Sequence, residues 1–313
     1  MADTASVTLA STDPVLQSFA DEIGDAGPVT IAGRRTRWEF GGDVAATARV
    51  LSAPVGIVDY VPEEMTVTVR CGTTTQELGE ALAAKGQRTG LPERGGTVGG
   101  AVAVGQNHLE VLGRGTVRSS VLQVRYVSAE GRIVNGGGPT VKNVTGFDLP
   151  RLTVGSLGTL SCLAELIIRT NPIPAVSQWY WANDADPQAA YRAVLAPSAV
   201  LWDGSVTAVL LEGHAPDVKS QASELASTGS FEECEPLAEP ASYRWSLTPS
   251  DIGTIDHHDT GQFNALVGVG TVFAEKPQPK RTLPIALQTV HDRVKAQFDP
   301  TGRLNPGRSP ELA

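Results

Sequence analysis

Residues 95–105 read Gly95-Gly-Thr-Val-Gly-Gly-Ala-Val-Ala-Val-Gly105. A run so poor in bulky side chains contributes little to a core; it lets backbone approach another backbone or a ligand closely. Working outward, Thr66 to Arg70 reads as a strand with Met65, Val67 and Val69 on one face. Thr74-x-x-Glu77 is a capping box, Leu78, Ala81 and Leu82 give the helix behind it an apolar face, and Gly86 stands where a left-handed residue is wanted. Upstream, Asp13-Pro14 predicts a helix start, Leu16, Phe19, Ala20 and Ile23 recur at helical spacing, and Gly24 ends it. Residues 28–32 alternate as a short strand and run into Gly33-Arg34-Arg35-Thr36-Arg37, a polar loop that exposes backbone. Residues 56–60 predict a further strand.

Downstream, Val121 to Val127 and Ile133-Val134 flank Ala129-Glu130-Gly131-Arg132, a hairpin turn. Glycine clusters recur at 113–115, 136–138 and 152–160, and the strand from Leu163 to Thr170 is expected to end at Pro172 and Pro174. A domain boundary is expected there. From Val176 to about Ala274 the texture changes: Trp179, Trp181, Trp202 and Trp245 fall in it, with helical runs at 187–196 and 216–226. The last segment predicts a helix with Leu287, Val290, Val294 and Phe298 on one face. The mixture is α+β, divided into residues 1–175, a smaller α+β domain at 176–275, and a C-terminal segment at 276–313.

The whole chain limits the possible functions. Its 313 residues suffice for two domains with a buried core. A net charge of −9 and the lack of any basic run argue against nucleic acid. No apolar stretch approaches the roughly 20 residues of a membrane span. The start Met1-Ala2-Asp3-Thr4 lacks the features of a signal peptide, so a cytoplasmic setting is expected, with membrane contact only through a partner. Cys71, Cys162 and Cys234 are odd in number and far apart, which predicts buried thiols rather than a disulfide framework, a zinc site or an iron–sulfur site.

Glycine-rich loops at strand ends present backbone N–H groups to anions such as a diphosphate. Residues 33–36 lack the G-x-G-x-x-G of a Rossmann turn, and no Walker motif occurs, so ordinary NAD and ATP folds are disfavoured. Val141-Lys-Asn-Val-Thr-Gly-Phe-Asp-Leu-Pro-Arg-Leu-Thr-Val-Gly-Ser-Leu-Gly-Thr-Leu160 resembles the K-N-V-A-G-Y-D-L-x-R-L-x-V-G-S-x-G-x-L pattern of glycolate oxidase FAD-binding subunits. These belong to the vanillyl-alcohol oxidase and p-cresol methylhydroxylase (PCMH) flavoprotein family. The closing Asn305-Pro306-Gly307 is similar to that group's N-P-G-R tail.

The resemblance implies a PCMH-type FAD-binding domain of two α+β subdomains, with a cap domain and a tail that returns to the FAD domain. It implies that Gly33, Arg34, Arg35, Thr36 and Arg37, together with Thr97, Val98, Gly99 and Gly100, hold the FAD diphosphate. Gly155, Gly158, Thr159 and Leu160 are implied to lie against the cofactor. Arg114, Gly115 and Asn305 match further positions near it. Three positions depart from the pattern: Ser119 replaces an aspartate, and Gln123 and Ser161 replace glycines. Neither of the first two loops carries a histidine or cysteine, so FAD is expected to be non-covalent.

The implied activity is oxidation of a 2-hydroxy acid such as glycolate, alongside a sister FAD subunit and an iron–sulfur subunit. Such oxidation needs a base and a cation for the carboxylate, and the sequence offers no convincing set. Adjacent His257-His258, between Asp256 and Asp259, is expected to be a polar loop, since neighbouring histidines on a strand point apart. His108 lies near the cofactor loops in sequence, although a surface position is the plainer expectation. Lys142 and Arg151 are equally compatible with structural ion pairs. Two alternatives therefore stand beside the catalytic subunit: a non-catalytic assembly module of the same complex, and a free-standing FAD-dependent alcohol oxidoreductase.

Overall fold

The computed structural model describes residues 13–139, 147–235, 243–279 and 283–310. The start of the chain and the motif positions 141–146, Lys142 among them, lie outside these residues. The chain divides into two units: Met1–His108, Thr116–Pro172 and Leu283–Ala313 form the first, and Leu109–Gly115 with Ile173–Thr282 the second.

In the first unit, α1 (Pro14–Ile23) starts where expected. Asp13 Oδ1 accepts from the N–H groups of Val15 and Leu16, and its other oxygen meets Arg70 Nη2 at 2.7 Å. Leu16, Phe19, Ala20 and Ile23 are buried, the leucine, phenylalanine and isoleucine each contributing about 1.5–3 kcal/mol. Next come β1 (Val29–Ile31) and β2 (Arg49–Leu51), paired in parallel, then β3 (Ile57–Val61) and β4 (Thr66–Arg70). Val67 and Val69 point into the core, whereas Met65 does not join them. It takes a left-handed φ of 53°, closes a 3-10 turn through Pro62 and stays exposed.

Behind β4, α2 (Thr75–Ala83) carries the reciprocal Thr74–Glu77 capping box. Then follow β5 (Gln87–Thr89), α3 (Val98–Val104), the hairpin strands β6 (Val121–Val127) and β7 (Ile133–Gly137), and β8 (Cys162–Pro172). An antiparallel sheet runs β3-β4-β8-β6-β7, with β5 also on β8. Its strands pack against α1, α2 and α3 through Leu78, Leu82, Val98, Val102, Leu166 and Ile168.

The tail returns to this unit. Leu304 bridges Val29 in parallel, and the side chain of Arg303, 5% exposed, donates to five carbonyls: those of Ile23, Gly24, Ala26, Gly27 and Ala129. All five guanidinium N–H groups are thereby used. The preceding helix, Ile285–Phe298, exposes Leu287 and Val290, so the expected apolar face does not seal it. Lys295 anchors it instead, meeting Asp299 at 2.6 Å and the Thr159 carbonyl at 2.7 Å.

Among its described residues the second unit is an antiparallel sheet of seven strands, β9 (Val176–Ala182), β10 (Ala199–Trp202), β11 (Thr207–Gly213), β12 (Glu232–Cys234), β13 (Tyr243–Ser246), β14 (Phe263–Leu266) and β15 (Thr271–Ala274), in the order β12-β9-β11-β10-β14-β15-β13. Alternation gives it two apolar faces. Val200, Val209 and Leu211 pack with helices Pro187–Ala193 and Ala215–Leu225, whereas Leu201, Leu210 and Phe273 pack with Leu109 and Val111 of the inserted segment. Residues 257–260 form a short helix rather than a loop, because Asp256 caps it by accepting from the Asp259 N–H at 3.1 Å. Both histidines nevertheless remain exposed.

Candidate functional site

The strand β1 ends at Ala32, whose N–H donates to the Leu51 carbonyl, and releases the chain into residues 33–37. Among the described residues, the N–H groups of Gly33, Arg34, Arg35 and Thr36 have no protein acceptor. Arg35 sits at φ 57°, a left-handed turn that an arginine adopts at a cost of about 1 kcal/mol or more. Unpaired amides around such a turn form a concavity suited to an anion.

The second loop works differently from the sequence expectation. The Val98 N–H donates to the Thr73 carbonyl and the Gly99 N–H to the Cys71 carbonyl, each at 2.8 Å, while the Thr97 side chain caps Gly100. These amides tie α3 to the end of β4 and are not offered to a ligand. Gly99 is needed for approach, since a Cβ there would lie 2.7 Å from Cys71 Cβ. Val98 is fully buried in the core.

A third segment closes the site from the opposite side. Leu157, at φ 52°, donates its N–H to the Ala103 carbonyl, and its own carbonyl accepts from Asn305 Nδ2. Asn305, at φ 46°, also accepts from Thr30 Oγ1 and donates its N–H to the Val29 carbonyl. The Gly155 N–H donates to Val102, and Thr159 bonds Ser156, so these two buttress the loop; Leu160 is half-buried beside them.

Two clefts result. One is lined by Gly33, Arg34, Arg35, Thr36, Arg37, Trp38, Thr97, Gly100, Leu157, Asn305 and Arg308 among others. The second shares Gly33, Arg34, Thr97, Gly100, Leu157 and Asn305 and continues past Gly99 and Gly158 to Val29, Ala53, Val55, Cys71, Ser161, Cys162 and Leu163. Among the described residues, the first is walled by four arginines and no carboxylate, and the second is mostly apolar. Burial pushes the Cys162 thiol up to about 12 and raises Cys71 as well, so both thiols stay protonated. Ser161, 1% exposed, has a hydroxyl without a protein partner among the described residues.

A cationic cleft with free amides, joined to an apolar one with an unpaired hydroxyl, fits a dinucleotide: diphosphate in the first, a flat ring in the second. The loops at 33–37 and 97–100, Gly158 and Asn305 are brought together here. Arg114 and Gly115 are not among the lining residues. Arg114 pairs with Glu110 in the second unit, and Gly113 lies against Ser198 there, so glycine at 113 serves packing. Gly136 likewise packs on Leu149. His108 is half-buried and lines neither cleft. Sequence reasoning missed Trp38 and Arg308, although Arg308 is the last residue of the tail motif that already singled out Asn305.

Residues 7–137 match the FAD binding domain family. The solved structure of alkyldihydroxyacetonephosphate synthase overlays 94% of this chain and 74% of its own length at a TM-score of 0.66 and 13% identity, which establishes the fold alone. The fold is thus that of PCMH-type FAD-binding proteins, and the match at residues 7–137 makes FAD the cofactor and the chain an FAD-linked oxidoreductase. Within that class, the chain is 27% identical to "Glycolate oxidase subunit GlcE" of Escherichia coli over 94% of this chain and 96% of that protein. It is also 34% identical to "Glycolate oxidase subunit GlcD" of Bacillus subtilis, over 38% of this chain and only 26% of that protein.

Proposed function

We propose that this chain is the FAD-bearing subunit of a glycolate oxidase-like complex, oxidising a 2-hydroxy acid such as glycolate to glyoxylate. The observation that carries this is the arginine-walled cleft at residues 33–37, in a chain that matches a glycolate oxidase subunit along 94% of its own length and 96% of the subunit's. Arg34, Arg35 and Arg37 neutralise the diphosphate beside the amides of Gly33 to Thr36. The apolar wall of Ile31, Ala53, Val55 and Leu163 receives a ring, and Leu157 and Asn305 close the site. When bound, FAD supplies the two-electron oxidation. Its attachment is non-covalent, because residues 33–37 and 95–105 hold no histidine or cysteine and the two cleft thiols are held protonated.

Residues 1–175 and 276–313 would form the flavin domain and 176–275 the cap. The partners are a sister FAD subunit and an iron–sulfur subunit, since three separated free cysteines do not make a cluster site. The complex would lie in the cytoplasm, reaching the membrane's inner face through a partner. Among the described residues, no helix is long and apolar enough to cross a membrane.

One observation favours the assembly-module alternative. Among the described residues, neither cleft is lined by a histidine, aspartate, glutamate, lysine or tyrosine that could take the hydroxyl proton. In that case the sister subunit performs the oxidation. An absorbance spectrum before and after acid precipitation, followed by anaerobic addition of glycolate or D-lactate, separates the two. Yellow colour released to the supernatant is expected, and bleaching by either acid would assign the chemistry to this chain. Flavin that stays oxidised until the sister subunit is added would favour the assembly module, and a folded chain that takes up no FAD would overturn both.

A further inference from the structure

The C-terminal tail approaches the arginine-walled cleft along a fixed path. The Asn305 N–H donates to Val29, the Pro306 carbonyl accepts from Ala45, and the Ser309 N–H donates to the Gly41 carbonyl at 2.8 Å. Gly307, at φ 93°, lets this stretch pass close over Asp43. Arg308 is thus held in position before any ligand arrives.

Its surroundings do not satisfy a cation. Arg308 Nη1 donates to the Phe40 carbonyl, but the buried Nε has no protein partner among the described residues. Its guanidinium lies 4.9 Å from the centre of the Trp38 ring, and that of Arg35 lies 4.8 Å from the same ring. Two like charges therefore converge on one indole, in a cleft where Arg34 and Arg37 add two more. Asp43 acts on Arg308 and Glu77 on Arg34, but neither carboxylate lines the cleft. Loss of water around Arg308 lowers its pKa, as expected of a cation awaiting its counter-charge.

We propose that Arg308 is a diphosphate ligand, the tail's contribution to a clamp completed by the amides of residues 33–36 and by Arg35 across Trp38. The ligand class is a nucleoside diphosphate ester. The proposal rests on the FAD reading for the identity of that ester but not for the anion site itself. Because the tail both closes the first unit and supplies this charge, cofactor retention depends on the last residues of the chain.

The test is titration of FAD, ADP and riboflavin into the flavin-free full chain and its Arg308→Gln and Arg308→Lys variants, with the thermal midpoint of each flavin-free protein as a control for folding. Losing a charge-assisted contact should weaken FAD and ADP in Arg308→Gln by about tenfold or more, with a shallower salt dependence. Lysine should recover only part, because it lacks the planar fork. Riboflavin, which has no phosphate, should be indifferent to both changes. The flavin-free Arg308→Gln protein should melt no lower than wild type, since an uncompensated charge has been removed. FAD and ADP affinities within twofold of wild type would overturn the clamp, as would a fall in melting temperature with an equal loss of riboflavin binding. A wild-type chain that binds ADP through Arg308 but not FAD would leave the clamp standing and defeat the FAD reading.

Discussion

The two units solve the same problem, covering an antiparallel sheet, with different tolerance for strain. In the second, among the described residues, no non-glycine residue takes a left-handed φ and no buried side-chain polar atom lacks a partner; even the indole of Trp245 donates to the Lys276 carbonyl at 2.7 Å. In the first, Arg35, Leu157 and Asn305 take left-handed φ values on the walls of the cleft, and Ser161, Arg308 and Glu165 hold buried polar atoms without partners among the described residues. Strain and unmet polarity persist where surrounding structure enforces them and a ligand can relieve them. The second unit therefore behaves as a scaffold, and the first as a scaffold with a site built into it.

Arg303→Ala is the most severe way to break this contrast. Five carbonyls would lose a buried, charged donor, and the tail would lose its anchor to α1. We expect a loss of about 3–5 kcal/mol, read as an early denaturant midpoint for the whole first unit. A variant as stable as wild type would mean that the tail is not integral to this unit. Next in size, Gly99→Val and Gly100→Val should part company. A side chain at 99 meets Cys71 at 2.7 Å, so overpacking of about 1–3 kcal/mol should lower stability and flavin content together. At 100 the only near neighbour among the described residues is Thr97 Oγ1, at 3.1 Å, so flavin retention should fall while the melting temperature changes little. Equal melting temperatures for the two variants would defeat that distinction.

In the second unit, Trp245→Phe tests the opposite arm. It keeps most of the apolar volume and removes one buried hydrogen bond, for an expected loss of about 1–2 kcal/mol with FAD affinity unchanged. Weakened FAD binding in the folded variant would show that the division of labour between the units is incomplete.

Much of the first unit was legible in sequence because its signals are local. A capping box, a helix stripe and a hairpin glycine each act within a few residues, and all three stand in the structure. What escaped depends on partners distant in sequence. Nothing near Thr97 announces that the amides of Val98 and Gly99 are taken by Thr73 and Cys71, and nothing near Gly113 announces Ser198. Arg308 acquires meaning only when the tail comes to lie beside Trp38, some 270 residues earlier. The exposed apolar face of the last helix shows the same limit, since periodicity tells which residues align but not whether anything covers them.

The smallest effect tests whether unmet polarity in the first unit carries a real cost. Glu165 is 2% exposed at the centre of the sheet; Oε1 meets Arg125 Nη1 at 3.0 Å, but Oε2 is buried without a partner among the described residues. Burial raises its pKa, outweighing the opposing pull of Arg125 and Arg70, while Asp13 adds to the rise. A carboxyl whose pKa is higher folded than unfolded binds its proton more tightly in the native state. Its stabilising contribution is therefore complete below the ordinary value near 4.5 and is lost as pH rises through the raised folded value. Glu165→Gln fixes the neutral form. The difference in melting temperature between variant and wild type should move in the variant's favour from about pH 4.5 to about pH 7, by no more than about 1 kcal/mol equivalent. A difference that stays flat, or moves the other way, would show that Arg125 compensates the buried charge in full, and that unpaired atoms remote from the cleft cost the first unit nothing.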